Sequence, residues 1–251
     1  MKLIKAKYEI ITPIQGEEIL KQIELAARTC YKSEDKIEYD IQEEETFSNP
    51  IKHLVKATSA HILIPKLISR GHEAMLEFGG NITVRFICDR GVSHELVRHR
   101  IASFSQESTR YCNYGKDEHI QFIIPSFLDY IPELESNNVL ELHKLIPERC
   151  MMSDDRNAID MGFKWALNML HQQNQYLDLI KFGSWSPQQA RSVLPNSLKT
   201  EINVSCNIRE WRHILKLRCS NAAHPDMQYL MRPLLKELQQ RIPILFDDIT
   251  Y

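Results

Sequence analysis

The stretch Leu96–Tyr114, LVRHRIASFSQESTRYCNY, sets Arg98, His99 and Arg100 in a row. Ser108 follows after seven residues, then Arg110 and the tyrosines Tyr111 and Tyr114. Two later segments add more guanidinium groups: QQARSVLP carries Arg191, and NIREWRHILKLR carries Arg209, Arg212 and Arg218. A lone arginine is usually a surface charge, but Arg191 sits in an otherwise apolar helical stretch. Guanidinium forks grip phosphate or carboxylate with paired hydrogen bonds and stack on planar rings. Together with Ser108, Asn207 and the tyrosines, they suit a phosphorylated ligand with a flat heterocycle. The tyrosines could equally be core residues.

Other chemistries find less support. The eight glycines form neither GxGxxG nor GxxxxGK[ST], so a phosphate would be held by side chains or ordinary helix N-termini. HELVRH resembles a zinc-protease helix, but His94 and His99 are five apart. Five residues turn a helix by roughly 500°, which points the two imidazoles apart. Ser108 lies in no GxSxG elbow. Cys112, in a segment read as strand-like, is more simply a packed thiol than a nucleophile. No metal ligand set is visible.

The 251 residues, 43% hydrophobic and 25% charged, can bury a core and remain soluble. A net charge of -2 argues against a general polyanion binder, so no nucleic-acid partner is expected. Phosphate contact plus base stacking by Tyr111 and Tyr114 is the competing reading. A metal-dependent hydrolase is a third. The six cysteines make no CxxC pair, the N-terminus is not a signal peptide, and no apolar run approaches membrane-spanning length. Reduced thiols in a cytoplasmic protein without a membrane partner are the default expectation.

The positioning elements follow from periodicity. Strands are expected over Leu3–Ile11, NITVRFICDRG, HIQFIIP and TEINVSCNI. Helices are expected over Gly16–Ser33, PKLISRGHEAMLEF with a stop near Gly71, and VSHELVRHR with Ser93 as N-cap. Others are Asp155–Phe182, SPQQARSVL ending at Pro195, REWRHILKLRCS and PDMQYLMRPLLKELQQR. The apolar stripe of the long helix is Ile159, Phe163, Ala166, Leu167, Leu170, Tyr176 and Leu177. The acidic segment with Glu43, Glu44 and Glu45 reads as a solvated loop. Strands and helices mix without a βαβ rhythm, which predicts an α+β fold in one domain over 1–251. The sheet is expected to be mixed, largely antiparallel and flanked by helices.

RHRIASFSQES followed by TRY resembles the signature of the flavin-dependent thymidylate synthases. GHEAMLEF, ARSVLP and NIREWRHILKLR resemble that family's other motifs, in family order. The resemblance implies methylation of dUMP to dTMP, with methylenetetrahydrofolate as carbon donor, noncovalent FAD as hydride carrier and NADPH as reductant. It implies a homotetramer with active sites at subunit interfaces and no protein nucleophile. Carried over by motif, FAD would meet His72, Ala74, Arg98, His99, Arg100, Gln106, Asn207, Ile208, Arg209, His213 and His224. The dUMP contacts would be Glu95, Leu96, Val97, Arg98, Gln106, Glu107, Ser108, Thr109, Arg110, Arg191 and Arg218. Arg218 would polarise the uracil. The family often has glutamine where Glu95 stands and glutamate where Gln106 stands, which suggests that both side chains share one arginine-rich pocket. Phe78 stands where many members carry histidine, and His224 lies farther from Arg218 than in many members.

Overall fold

The computed structural model describes residues 1–38, 58–116, 119–150 and 156–251. In chain order the elements are β1 (Lys2–Ile4), β2 (Lys7–Ile10), α1 (Gly16–Tyr31), α2 (Ser59–Ser69), β3 (Asn81–Asp89), α3 (Arg90–Leu96) and β4 (Ser103–Gln106). They continue with β5 (Gln121–Ile123), β6 (Leu134–Glu135), α4 (Val139–Cys150), α5 (Arg156–Lys181), α6 (Pro187–Ala190) and β7 (Lys199–Asn207). The chain closes with α7 (Ile208–Arg218), α8 (Pro225–Arg241) and α9 (Pro243–Phe246). The α+β expectation holds, but the strands form two sheets instead of one.

The four-stranded sheet runs β2-β3-β7-β4 and is antiparallel throughout. Strict alternation in β3 buries Ile82, Val84, Phe86 and Cys88; in β7 it buries Ile202, Val204 and Cys206. This face meets Trp211, Ile214 and Leu215 of α7, with Leu230, Leu234 and Leu238 of α8 in the same core. Each such large apolar side chain contributes roughly 1.5–3 kcal/mol by leaving water. The buried Trp211 indole N–H donates to the Ile82 carbonyl at 2.9 Å, so the ring enters the core without an orphaned donor.

The second sheet has order β5-β1-β6, with β1 parallel to β5 and antiparallel to β6. Leu3, Phe122 and Ile124 pack against Ala166, Met169, Leu170 and Tyr176 of α5 and Leu142 and Ile146 of α4. The expected strand Leu3–Ile11 is therefore two strands, one in each sheet. Helix α4 was not foreseen. Helix α2 begins earlier than expected, carries Pro65 inside it, and is followed by a 3-10 turn over Glu73–Gly79. The turn at Gly71 needs its positive φ of 72°, which glycine adopts at little cost. Glu43, Glu44 and Glu45, and the side chain of Ile159, lie outside the described residues.

Two strand-to-helix junctions position the chemistry. β3 runs directly into α3, and the cap is Asp89, whose carboxylate accepts from the Val92 N–H at 2.9 Å. Ser93 is thus not the cap: it lies one turn inside the helix, and its hydroxyl donates to the Arg90 carbonyl. β7 runs directly into α7, capped by Asn207, whose side-chain oxygen accepts from the Glu210 N–H at 2.9 Å.

Candidate active site

The end of α3 brings Glu95 and His99 onto the face of α7. Three bonds hold the Arg218 guanidinium there. Its Nε–H donates to His99 Nε2 at 3.0 Å, Nη1 to Glu95 Oε2 at 2.6 Å, and Nη2 to the Glu95 carbonyl at 3.0 Å. Helical side chains lean toward the N-terminus, so Arg218, at the C-terminal end of α7, reaches back along its own helix. His99 is buried, with Nδ1 3.8 Å from Glu210 Oε1 and its ring edge-on to His213 at 5.9 Å between centroids. Burial, with Arg218 and His213 as neighbouring charges, lowers the His99 pKa to about 4, so the imidazole is neutral at pH 7. Burial raises the Glu210 pKa, opposed by His213 and Arg209.

His99, Glu210 and His213 are metal-ligand types, and their atoms lie within 4.8 Å of one another. The hydrogen bonding favours another use. Arg218 Nε always carries a proton, so His99 Nε2 is the acceptor and the ring proton sits on Nδ1, the nitrogen facing the cluster. A protonated Nδ1 cannot ligate a metal. Moving that proton to Nε2 would break the bond to Arg218.

A second group gathers around β4. Gln106 Nε2 donates to Ser93 Oγ at 2.9 Å and to Thr200 Oγ1 at 3.1 Å, and Arg90 reaches the same Thr200 hydroxyl at 3.3 Å. Glu107 accepts from the Tyr114 hydroxyl at 2.6 Å and from Lys199 at 3.1 Å. Burial and the Glu107 bond raise the Tyr114 pKa. Burial would lower the Lys199 pKa, but its bonds to Glu201 and Glu107 outweigh that and raise it. Arg191 donates to Thr109 Oγ1 at 3.0 Å. Within one chain Glu95 bonds to Arg218 and Gln106 to Ser93 and Thr200, so the two side chains have no bonded partner in common. Ser93 bridges the two groups, since it sits on α3 with Glu95 and bonds to Gln106.

The remaining predicted residues divide by exposure. Arg98 and Arg100 are exposed, and among the described residues neither guanidinium makes a hydrogen bond or ion pair. Val97 is exposed, as is Arg110, whose guanidinium lies over the Tyr111 ring at 5.5 Å. His72, Ala74 and His213 are exposed. Exposed Arg209 pairs with Glu77 at 2.6 Å, next to exposed Phe78. The side chains of Leu96 and Ile208 are buried in the core. His224 is exposed and accepts the Asp226 N–H at the start of α8, which is a capping role. A cleft of about 590 Å³ between β2 and α8, lined in part by Tyr8, Gln228 and Arg232, shares no lining residue with the arginine cluster.

Sequence reasoning missed Arg90, Lys199, Thr200 and Glu210. Glu210 had a signal: it precedes His213 by three, so both share one face of α7. The other three become visible only when β7 pairs with β3 and β4. Cys112 lies just past the turn that follows β4, not in a strand, and its N–H donates to the Ser108 carbonyl.

The chain matches the model of the family described as thymidylate synthase complementing protein over residues 14–244. It belongs to that family. It is 31% identical over 244 residues to the flavin-dependent thymidylate synthase of Corynebacterium glutamicum, covering 97% of this chain and 84% of that one. The Corynebacterium efficiens enzyme of the same name is 32% identical over 94% and 81% of the two chains. That of Thermococcus onnurineus is 30% identical over 70% and 60%. Family membership makes this an FAD-dependent thymidylate synthase enzyme.

Within the family site, the Ser108 hydroxyl accepts from the Arg110 N–H at 3.3 Å, a local turn contact. Among the described residues no base is bonded to its side chain, and a serine nucleophile needs one for activation. Ser108→Ala is expected to keep measurable turnover, with no nucleotide–Ser108 adduct in mass spectrometry of the wild-type protein. A trapped adduct would overturn this.

Proposed function

We propose that the chain, acting as one unit over 1–251, converts dUMP to dTMP with methylenetetrahydrofolate as carbon donor and NADPH as reductant. FAD, when bound noncovalently, supplies the hydride relay. The observation that carries this reading is the α3–α7 junction. There a guanidinium fixed by three bonds reaches His99, which is flanked in the chain by two exposed arginines, Arg98 and Arg100, that no described side chain neutralises. That is a surface prepared for an anionic, planar ligand.

The residues fit FAD and a nucleotide in charge and position. Arg98 and Arg100 are open to phosphate, and His72, Ala74 and His213 are exposed toward solvent. The Glu73–Gly79 turn that follows His72 packs on α7. Arg191, Thr109 and Arg90 supply donors on the nucleotide side. Arg218 places a fixed cation where the uracil ring loses its N3 proton, and a preorganised charge stabilises such an anion best where water is excluded. The bond to His99 and the two bonds to the Glu95 carboxylate and backbone carbonyl prevent the guanidinium from turning away.

The arginine face is open on one chain, with Val97, Ile101 and Tyr111 exposed around it. We read it as completed by a second copy in a homotetramer. No nucleic acid or membrane partner is invoked: among the described residues no helix is long and apolar enough to cross a membrane. The described cysteines are free thiols, which suits the cytoplasm.

The test is spectroscopic and chemical. FAD-reconstituted protein should show oxidised-flavin absorption that NADPH bleaches anaerobically, and should form dTMP from dUMP and methylenetetrahydrofolate. A protein that cannot be reconstituted with flavin, or that makes no dTMP, would sink the reading.

A further inference from the structure

We propose that Glu210 is a positioning residue: its carboxylate holds His99 in the tautomer that keeps Arg218 aimed at the nucleotide. The role of Arg218 rests on the proposed function; the tautomer does not.

Arg218 Nε–H points at His99 Nε2 at 3.0 Å, so that nitrogen must present a lone pair. In a neutral imidazole the proton is then on Nδ1, which faces Glu210 Oε1 at 3.8 Å. A carboxylate there favours the Nδ1–H dipole and opposes the alternative tautomer, whose Nδ1 lone pair would face it. Both side chains are buried, so water screens the interaction weakly. The His213 ring meets His99 edge-on and offers no competing carboxylate or carbonyl.

Burial raises the Glu210 pKa, and three features oppose it: the neighbouring His213 and Arg209 and the residue's place in its helix. Glu210 is the third residue of α7, where the helix dipole favours an anion, and its backbone N–H is tied to the Asn207 cap. Arg218 ends the same helix, so one rigid element carries both ends of the relay, and His99 from the end of α3 closes it. These bonds to His99 and Glu95 use three of the five guanidinium N–H groups of Arg218, leaving one on Nη1 and one on Nη2 for a ligand. Without the Nε bond the fork could rotate about its stem and lose that aim.

The test uses the full chain, with and without FAD, labelled with 15N-histidine. Long-range proton–nitrogen correlations distinguish the two neutral tautomers, and His99→Gln assigns the signal. Wild-type protein and Glu210→Gln, whose amide oxygen can still accept, should show Nδ1–H. Glu210→Ala should populate the other tautomer and lower kcat for dTMP formation at least about tenfold, the scale of losing a residue that orients a functional histidine. Should Glu210→Ala not fold, Glu210→Leu, of similar volume, takes its place. An unchanged tautomer in the folded Ala or Leu variant overturns the proposal, as does Glu210→Gln losing as much turnover as they do. If wild-type protein makes no dTMP, the proposed function fails, while the spectra still decide the tautomer.

Discussion

Arg218→Ala is expected to lose dTMP formation by about 10²-fold or more while flavin absorption survives. That is the magnitude seen when one donor to a developing anion is removed. The substitution removes the three-bond anchor between α7 and the end of α3, but Glu95 is partly exposed and its carboxylate can turn to water. Flavin retention is expected because Arg98, Arg100 and Arg209 are untouched and Arg98 and Arg100 do not bond to Arg218. Arg218→Lys should recover little, since one ammonium cannot reach His99 Nε2, Glu95 Oε2 and the Glu95 carbonyl in the same plane. Steady-state kcat/KM alongside the visible spectrum checks both statements. Full activity in the alanine variant would remove Arg218 from the mechanism.

A comparably large effect, on stability, is expected one turn and a half earlier on the same helix. Arg212 is 0% exposed, and its two terminal nitrogens reach the two Asp248 oxygens at 2.6 and 2.7 Å. It also bonds to the Leu245 carbonyl and to Glu73. The buried guanidinium thus ties α7 to the chain after α9 and to the turn before β3. Arg212→Ala should cost about 3 kcal/mol, the low end for breaking a buried pair, because Asp248 keeps contact with water. The sign of the pH dependence follows from Asp248. The Arg212 hydrogen bond holds its pKa below the usual 3.8. This contribution is therefore complete above the unfolded-state pKa and is lost as pH falls through the lower folded value. Urea unfolding should show the variant's deficit in full at pH 7 and narrowing toward pH 3. A deficit below about 1 kcal/mol at pH 7 would show that the pair contributes no more than a surface bridge.

Periodicity carried most of the secondary structure. The alternation in NITVRFICD and KTEINVSCN marked β3 and β7, and Ser186-Pro187 marked the start of α6, where the Gln189 side chain accepts from the Ser186 N–H. What failed was non-local. Lys5 and Ala6 break one apparent strand into β1 and β2, and nothing local says that the halves join different sheets. The cap of α3 was misplaced because the strand pattern and the helix pattern meet at Asp89 without a loop between them. At the site, RHR, Arg191 and Arg218 were legible as charged groups at family spacing. The partners that give them direction, Glu210, Thr200 and Lys199, depend on strand pairing and helix docking. Sequence spacing also could not separate the Glu95 network from the Gln106 network.

The split between β1 and β2 also orders the events of synthesis. β1 is the central strand of its sheet, yet its neighbours lie at residues 121–123 and 134–135. While the first half of the chain emerges, Lys2–Ile4 has no strand to pair with, and its apolar Leu3 and Ile4 stay unpartnered. β2 waits for β3, whose other edge waits for β7 near residue 200. Closing such long loops is slow, and unpaired strands invite association with other chains. The three-stranded sheet can therefore close once residues 134–135 have emerged, whereas the four-stranded sheet waits for β7 and closes only as the arginine-bearing end of the chain arrives.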